Sequence, residues 1–181
     1  LPPGLPLVVS VGALAKHKGH RVLLEAAARV LRRRDAAFIL AGEGPLRRSL
    51  EDQAQRLGIT DRLRLSGFRA DVGRLIAAAA VFVFPSLGEG LGTSLMDALL
   101  LECPVVASTA GGIPEIITHG EQGLLVPPGD PEALAAAILE VLGDPRSGIE
   151  RARRGRLRVL EEFSADRMVE GTLAVYREIL Q

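Results

Sequence analysis

Val81 to Leu100 reads VFVFPSLGEGLGTSLMDALL. An apolar run, a Pro–Ser break, a loop with glycine at 88, 90 and 92, and a helical run follow one another without a gap. An uninterrupted apolar run bounded by turn residues is the pattern of a strand covered on both faces. The helix that follows would open at Gly92, and its first N–H groups, on Gly92, Thr93 and Ser94, would lack acceptors within the helix. Glu89 stands in the loop between Gly88 and Gly90, and Asp97 lies eight positions on. A core strand needs neither acid.

The same grammar recurs outward in both directions. LVVSVG (Leu7–Gly12), AFILAG (Ala37–Gly42), LRLSGF (Leu63–Phe68), VFVFPS (Val81–Ser86), PVVAST (Pro104–Thr109) and GLLVPP (Gly123–Pro128) read as six strands. Helical patterns separate them. GHRVLLEAAARVLRR carries Val22, Leu23, Ala26, Ala27, Val30 and Leu31 on one stripe. PLRRSLEDQAQRLGI has Pro45 suited to a first turn and Gly58 to a stop. DPEALAAAILEVLGD has Asp130 as N-cap, Pro131 next and Gly143 at its end. Strand alternating with helix implies right-handed crossovers and a parallel sheet. The expected fold class is α/β, a Rossmann-like open parallel sheet of about six strands with helices on both faces and extra C-terminal helices. Residues 1–6, LPPGLP, read as the remnant of a stiff interdomain linker, and 7–181 as one domain cut from something longer.

Composition removes several functions. The 22 basic and 22 acidic residues cancel, which gives no reason to expect nucleic acid. With 3% aromatic residues and no Trp, the core must come from Ala, Leu, Val and Ile. The one cysteine, Cys103, rules out an internal disulfide framework and reads as a buried small hydrophobe. No run approaches a membrane span, and no export signal leads the chain, so a cytoplasmic protein is expected.

Ligands of an open parallel sheet bind beyond the carboxyl ends of its strands. Glycines in those loops, such as Gly12, Gly44 and Gly67, let backbone approach a phosphate closely. Two phosphate signatures fail there. GEGPLR has Arg47 where a dinucleotide fingerprint needs its third glycine, and GEGLGTS lacks the lysine of a P-loop. No D-x-D pair or histidine cluster suggests a metal. What remains is an anion site at the helix start, Gly92 to Ser94, with Glu89 beside it to accept sugar hydroxyls. Asp97 lies one turn inside. KHKG after the first strand offers Lys16, His17 and Lys18 as a cationic wall, and Lys18 before Gly19 is the better candidate for a diphosphate. His17, His20 and His119 read as structural. Together these groups describe a pocket for a nucleotide diphosphate bearing a sugar.

At these residues the sequence resembles the nucleotide-sugar-binding C-terminal domain of a family 4 (group 1) retaining glycosyltransferase of GT-B fold. VGALAKHKGH, LAGEGPLRRSLEDQAQRLGITDRLRLSGF, VFVFPSLGEGLGTSLMDAL, PVVASTAGGIPEII and GLLVPPGDPEALAAAI carry the likeness, from about Leu7 to Leu180. The resemblance implies catalytic roles for Glu89, on the donor sugar, and Lys18, on the diphosphate. It implies donor contacts from Gly12, Lys16, Gly44, Gly67, Phe68, Gly90, Leu91, Gly92 and Thr93, with the base held at Gly67 and Phe68 by backbone groups. The family's second glutamate is Asp97 here, expected on the ribose, and the arginine usual after the first strand's glycine is Ala13. A UDP- or GDP-sugar would be the donor, with no metal or other cofactor. The chain's own N-terminal domain, bringing the acceptor, would be its partner, leaving the isolated chain largely inactive. Two other readings stay open: a sugar-nucleotide epimerase on the same fold, or an inactive nucleotide-binding module. The basic run RARRGRLR, Arg151 to Arg158, reads as a solvated helix face. Its rival reading is peripheral docking on anionic lipid at the inner face of the membrane.

Overall fold

The computed structural model describes residues 1–180. Six parallel strands form one sheet: β1 (Leu7–Val11), β2 (Ala37–Ala41), β3 (Leu63–Gly67), β4 (Val81–Phe84), β5 (Val105–Ser108) and β6 (Leu124–Val126). Their order is β3-β2-β1-β4-β5-β6. Each coincides with an apolar run singled out above. Register is set centrally, where β1 pairs Val8 with Val81 and β4 pairs Phe82 with Val105.

The unbroken apolar character of β4 has a direct cause. Successive side chains point to opposite faces, so Val81 and Val83 enter one core layer while Phe82 and Phe84 enter the other. The first layer is closed by α1 (His20–Leu31), α2 (Arg47–Arg56) and α6 (Pro131–Gly143). The second is closed by α3 (Val72–Ala77), α4 (Thr93–Leu100), α5 (Ile113–Ile116) and part of α7 (Pro145–Glu162). Phe82 and Phe84 stack there with ring centres 6.3 Å apart.

Helix ends follow the sequence at most positions. Asp130 Oδ1 accepts the N–H groups of Glu132 and Ala133, each at 2.9 Å, and caps α6 as expected. Gly58 follows α2 with φ of 68°. One expectation shifts: Pro45 lies in a turn ahead of α2, which starts only at Arg47, whereas Gly143 ends α6 as expected.

α7 packs against α4 and buries Gly148, Ala152, Gly155 and Val159; Gly155 faces Leu99 of α4, and Gly148 faces Val141 and Pro104. Its arginines are tethers. Arg153 and Arg156 pair with Glu102, and Arg151 pairs with Glu140. Arg154 donates to the Glu121 carbonyl, and Arg158 to Thr118 Oγ1 and the Glu115 carbonyl. The face is solvated as expected, with Arg153, Arg154 and Arg156 exposed while their contacts reach other elements, and peripheral membrane association gains no support. Among the described residues no helix is long and apolar enough to cross a membrane. The last helix, α8 (Ala165–Ile179), has no buried residue and exposes Met168, Leu173, Tyr176 and Ile179.

Candidate functional site

Strand order reverses between β1 and β4: the chain moves outward through β2 and β3, then returns to the other side of β1. Loops leaving these two neighbours diverge and open a crevice, the usual ligand site of such sheets. Lys16 to Lys18 form a single 3₁₀ turn ending at Gly19, whose φ is 66°. A Cβ at Gly19 would lie 1.9 Å from the Pro85 carbonyl oxygen, so the two loops touch through bare backbone. Leu87 N–H donates to the His17 carbonyl at 2.6 Å and completes the join.

That join delivers Lys18 to Glu89. Lys18 Nζ stands 2.6 Å from Glu89 Oε2, with side chains 19% and 11% exposed. The ammonium also lies 5.4 Å from the centre of the Phe84 ring. Ser86 Oγ donates to the same Glu89 oxygen at 3.2 Å. The Glu89 main chain is fixed from the far side. Gly112 N–H donates to the Glu89 carbonyl at 3.2 Å, and Gly111, at φ of 55°, approaches that oxygen so closely that a Cβ would sit 1.8 Å away. A charged pair this sheltered depends on geometry and further hydrogen bonds to remain favourable.

The helix start is narrower than expected. Thr93 N–H donates back to the Leu91 carbonyl at 2.9 Å. The N–H groups of Gly92 and Ser94 have no protein acceptor among the described residues. Ser94 Oγ donates to the Val11 carbonyl at 3.3 Å, drawing the α4 start onto the end of β1. Asp97 is exposed, one turn along from Ser94 on the same helix face.

Beyond the ends of β1, β2 and β3 lies a cavity of about 340 Å³ lined by Gly12, Ala13, Gly42, Glu43, Phe68 and Val72 among others. Phe68 is 81% exposed at its rim. The Lys18 stem passes within 3.6 Å of where a Gly12 Cβ would stand, so Lys18 connects this cavity to Glu89. Gly44 packs against the Leu14 backbone, and Gly67 is buried under the Glu43 side chain. Lys16, Gly90 and Leu91 are exposed on the surrounding loops, and Lys16 has no ion-pair partner among the described residues. No three His, Cys, Asp or Glu side chains converge among those residues.

Other polar residues take structural places. His20 opens α1 buried, and that burial, then the nearby charges of Lys18 and His17, press its pKa down to about 4. His119 Nδ1 accepts the Leu125 N–H at 3.0 Å. Cys103 is buried, and burial pushes its thiol up to about 12, which keeps it unreactive. Ser86 and Ser108 are the site residues that sequence reading passed over. The visible signal was a polar residue closing each of two apolar runs.

Comparison with known proteins identifies the family and the fold. Residues 5–144 match the family described as glycosyl transferases group 1. The chain is 32% identical over 177 residues to an alpha-D-kanosaminyltransferase of Streptomyces kanamyceticus, covering 96% of this chain and 46% of that protein. It is 32% identical over 173 residues to the lipopolysaccharide core biosynthesis glycosyltransferase LpsE of Rhizobium meliloti, covering 95% and 50%. Among solved structures, sucrose-phosphate synthase from Thermosynechococcus elongatus superposes with a TM-score of 0.85 at 31% identity, over 99% of this chain and 47% of that one. Anabaena HepE, in complex with UDP and glucose, superposes with a TM-score of 0.86 at 29% identity, over 93% and 48%. The chain thus spans about half the length of the relatives it matches. It belongs to the group 1 glycosyl transferases and has the Rossmann-like architecture of their GT-B fold.

Proposed function

We propose that this chain is the donor-binding half of a retaining glycosyltransferase and holds a UDP- or GDP-sugar in the crevice between β1 and β4. The observation that carries the reading is the Lys18–Glu89 pair, set between the α4 start and the Gly12–Phe68 cavity. The nucleoside fits the cavity, its base beside Phe68 and its ribose within reach of Asp97. The diphosphate then lies over Gly12, against Lys18 Nζ and the N–H groups of Gly92 and Ser94. Glu89 accepts hydroxyls of the sugar.

When the glycosidic bond to the diphosphate breaks, negative charge grows on the leaving oxygen. Lys18 and the helix start are already in place to stabilise it, and groups so placed usually supply the largest catalytic effect. The proposed step therefore uses no metal. An acceptor hydroxyl attacks the anomeric carbon from the face the diphosphate leaves and passes its proton to the departing phosphate oxygen, so the anomeric configuration is retained. The acceptor comes from an N-terminal domain, to which the bare apolar face of α8 offers a docking surface. Coverage of only half of each relative agrees with such a division.

Calorimetric titration with UDP, GDP and ADP tests the reading. One nucleotide is expected to bind, and Lys18→Ala to weaken it about ten- to a hundredfold, as for a lost charge-assisted hydrogen bond. Equal affinity of wild type and Lys18→Ala would remove Lys18 from the diphosphate site.

A further inference from the structure

The two oxygens of the Glu89 carboxylate have different surroundings. Oε2 receives Lys18 Nζ at 2.6 Å and the Ser86 hydroxyl at 3.2 Å. Among the described residues no protein group donates to Oε1. Ser86 is fully buried, just beyond the end of β4. Its carbonyl in turn accepts the hydroxyl of Ser108, the buried last residue of β5. A chain of hydrogen bonds thus runs from the sheet to the carboxylate: Ser108 hydroxyl to Ser86 carbonyl, Ser86 hydroxyl to Glu89.

A serine hydroxyl has one proton to donate. A buried serine usually gives it to backbone, yet Ser86 directs it at a side chain in the crevice. The effect is orientational. The terminal torsion of a glutamate is broad and nearly two-fold, so one contact from Lys18 fixes a distance without fixing the carboxylate plane. Two donors on one oxygen fix both.

We propose that Ser86 is a positioning residue: with Lys18 it occupies Glu89 Oε2 and turns Oε1 alone toward the hydroxyls of the donor sugar. This rests on the reading of Glu89 as the sugar-binding acid. Ser86 itself touches neither sugar nor phosphate. Its removal should therefore weaken what the sugar adds to binding while leaving the nucleotide's own affinity in place.

The experiment compares dissociation constants for a nucleotide and its sugar conjugate, using UDP with UDP-glucose and UDP-N-acetylglucosamine, and GDP with GDP-mannose. It is done on the longest natural chain that carries these residues, taking the pair in which the sugar tightens binding most. Ser86→Ala is expected to cut the conjugate's advantage about three- to tenfold, as for one lost hydrogen bond, with nucleotide affinity changed less than twofold. Ser86→Cys, close in volume but a poor donor, should behave like Ser86→Ala, and Ser86→Thr should restore the advantage. An unchanged advantage in Ser86→Ala and Ser86→Cys, or equal weakening of nucleotide and conjugate, would overturn the proposal. Glu89→Ala separates the two readings. If it abolishes the advantage while Ser86→Ala does not, only the positioning role fails. If Glu89→Ala changes nothing, or wild type binds neither pair, the donor reading fails and the positioning role falls with it.

Discussion

Lys18 carries three N–H donors, and the contact with Glu89 occupies one of them. In the proposed complex the remaining donors serve an anion arriving over Gly12 while Glu89 holds the ammonium still. Its neighbour His20 has the opposite design, a base kept neutral by burial. Its pKa of about 4 in the folded chain lies below the ordinary 6.5, so between those values the unfolded chain binds more protons. Stability must then rise with pH across that window, and acidification from pH 6.5 to 4 costs on the order of 3 kcal/mol through this one group. Urea unfolding of wild type and His20→Gln at both pH values checks this. The variant should lose less stability on acidification, and parallel losses would mean that other groups set the acid sensitivity.

Elements differ in how far the sequence revealed them. All six strands were legible because a sheet covered on both faces writes uninterrupted apolar runs, and α1, α2 and α6 declared themselves by periodicity and end residues. α3 and α5, of six and four residues, are too short to show a helical period, as is the turn at Lys16–Lys18. Within the site, Glu89 and the α4 start could be read from the glycines around them. The Lys18–Glu89 contact joins residues 71 positions apart, and the Ser108–Ser86 link spans 22, so only the β1–β4–β5 neighbourhood of the folded sheet reveals them. The arginines of α7 show the same limit, because their spacing marks a solvated face without showing which partners it meets. The turn ahead of α5 gives the test at this scale. Gly111→Ala needs a left-handed alanine and a shift of the Glu89 carbonyl, and should destabilise the fold by at least about 1–2 kcal/mol. It should also lower donor affinity. Gly88→Ala, with open space around its Cβ, should change stability little. Equal urea midpoints for the two variants would contradict the tight seat assigned to Glu89.

At the scale of the whole molecule, the sheet and α1 to α7 form the packed body, and α8 adds apolar surface without adding core. Ending the chain after Ser164 should therefore shift its melting temperature by no more than a few degrees. A large drop would show that α8 stabilises the body directly. Where a donor sits decides the proposed function, and a crystal structure of the chain with the nucleotide sugar that binds best shows it. A phosphate oxygen is expected within about 3 Å of Lys18 Nζ and a sugar hydroxyl at the same distance from Glu89 Oε1, as hydrogen bonds require. A diphosphate found elsewhere, with the Lys18–Glu89 pair closed and untouched, would contradict the proposed function.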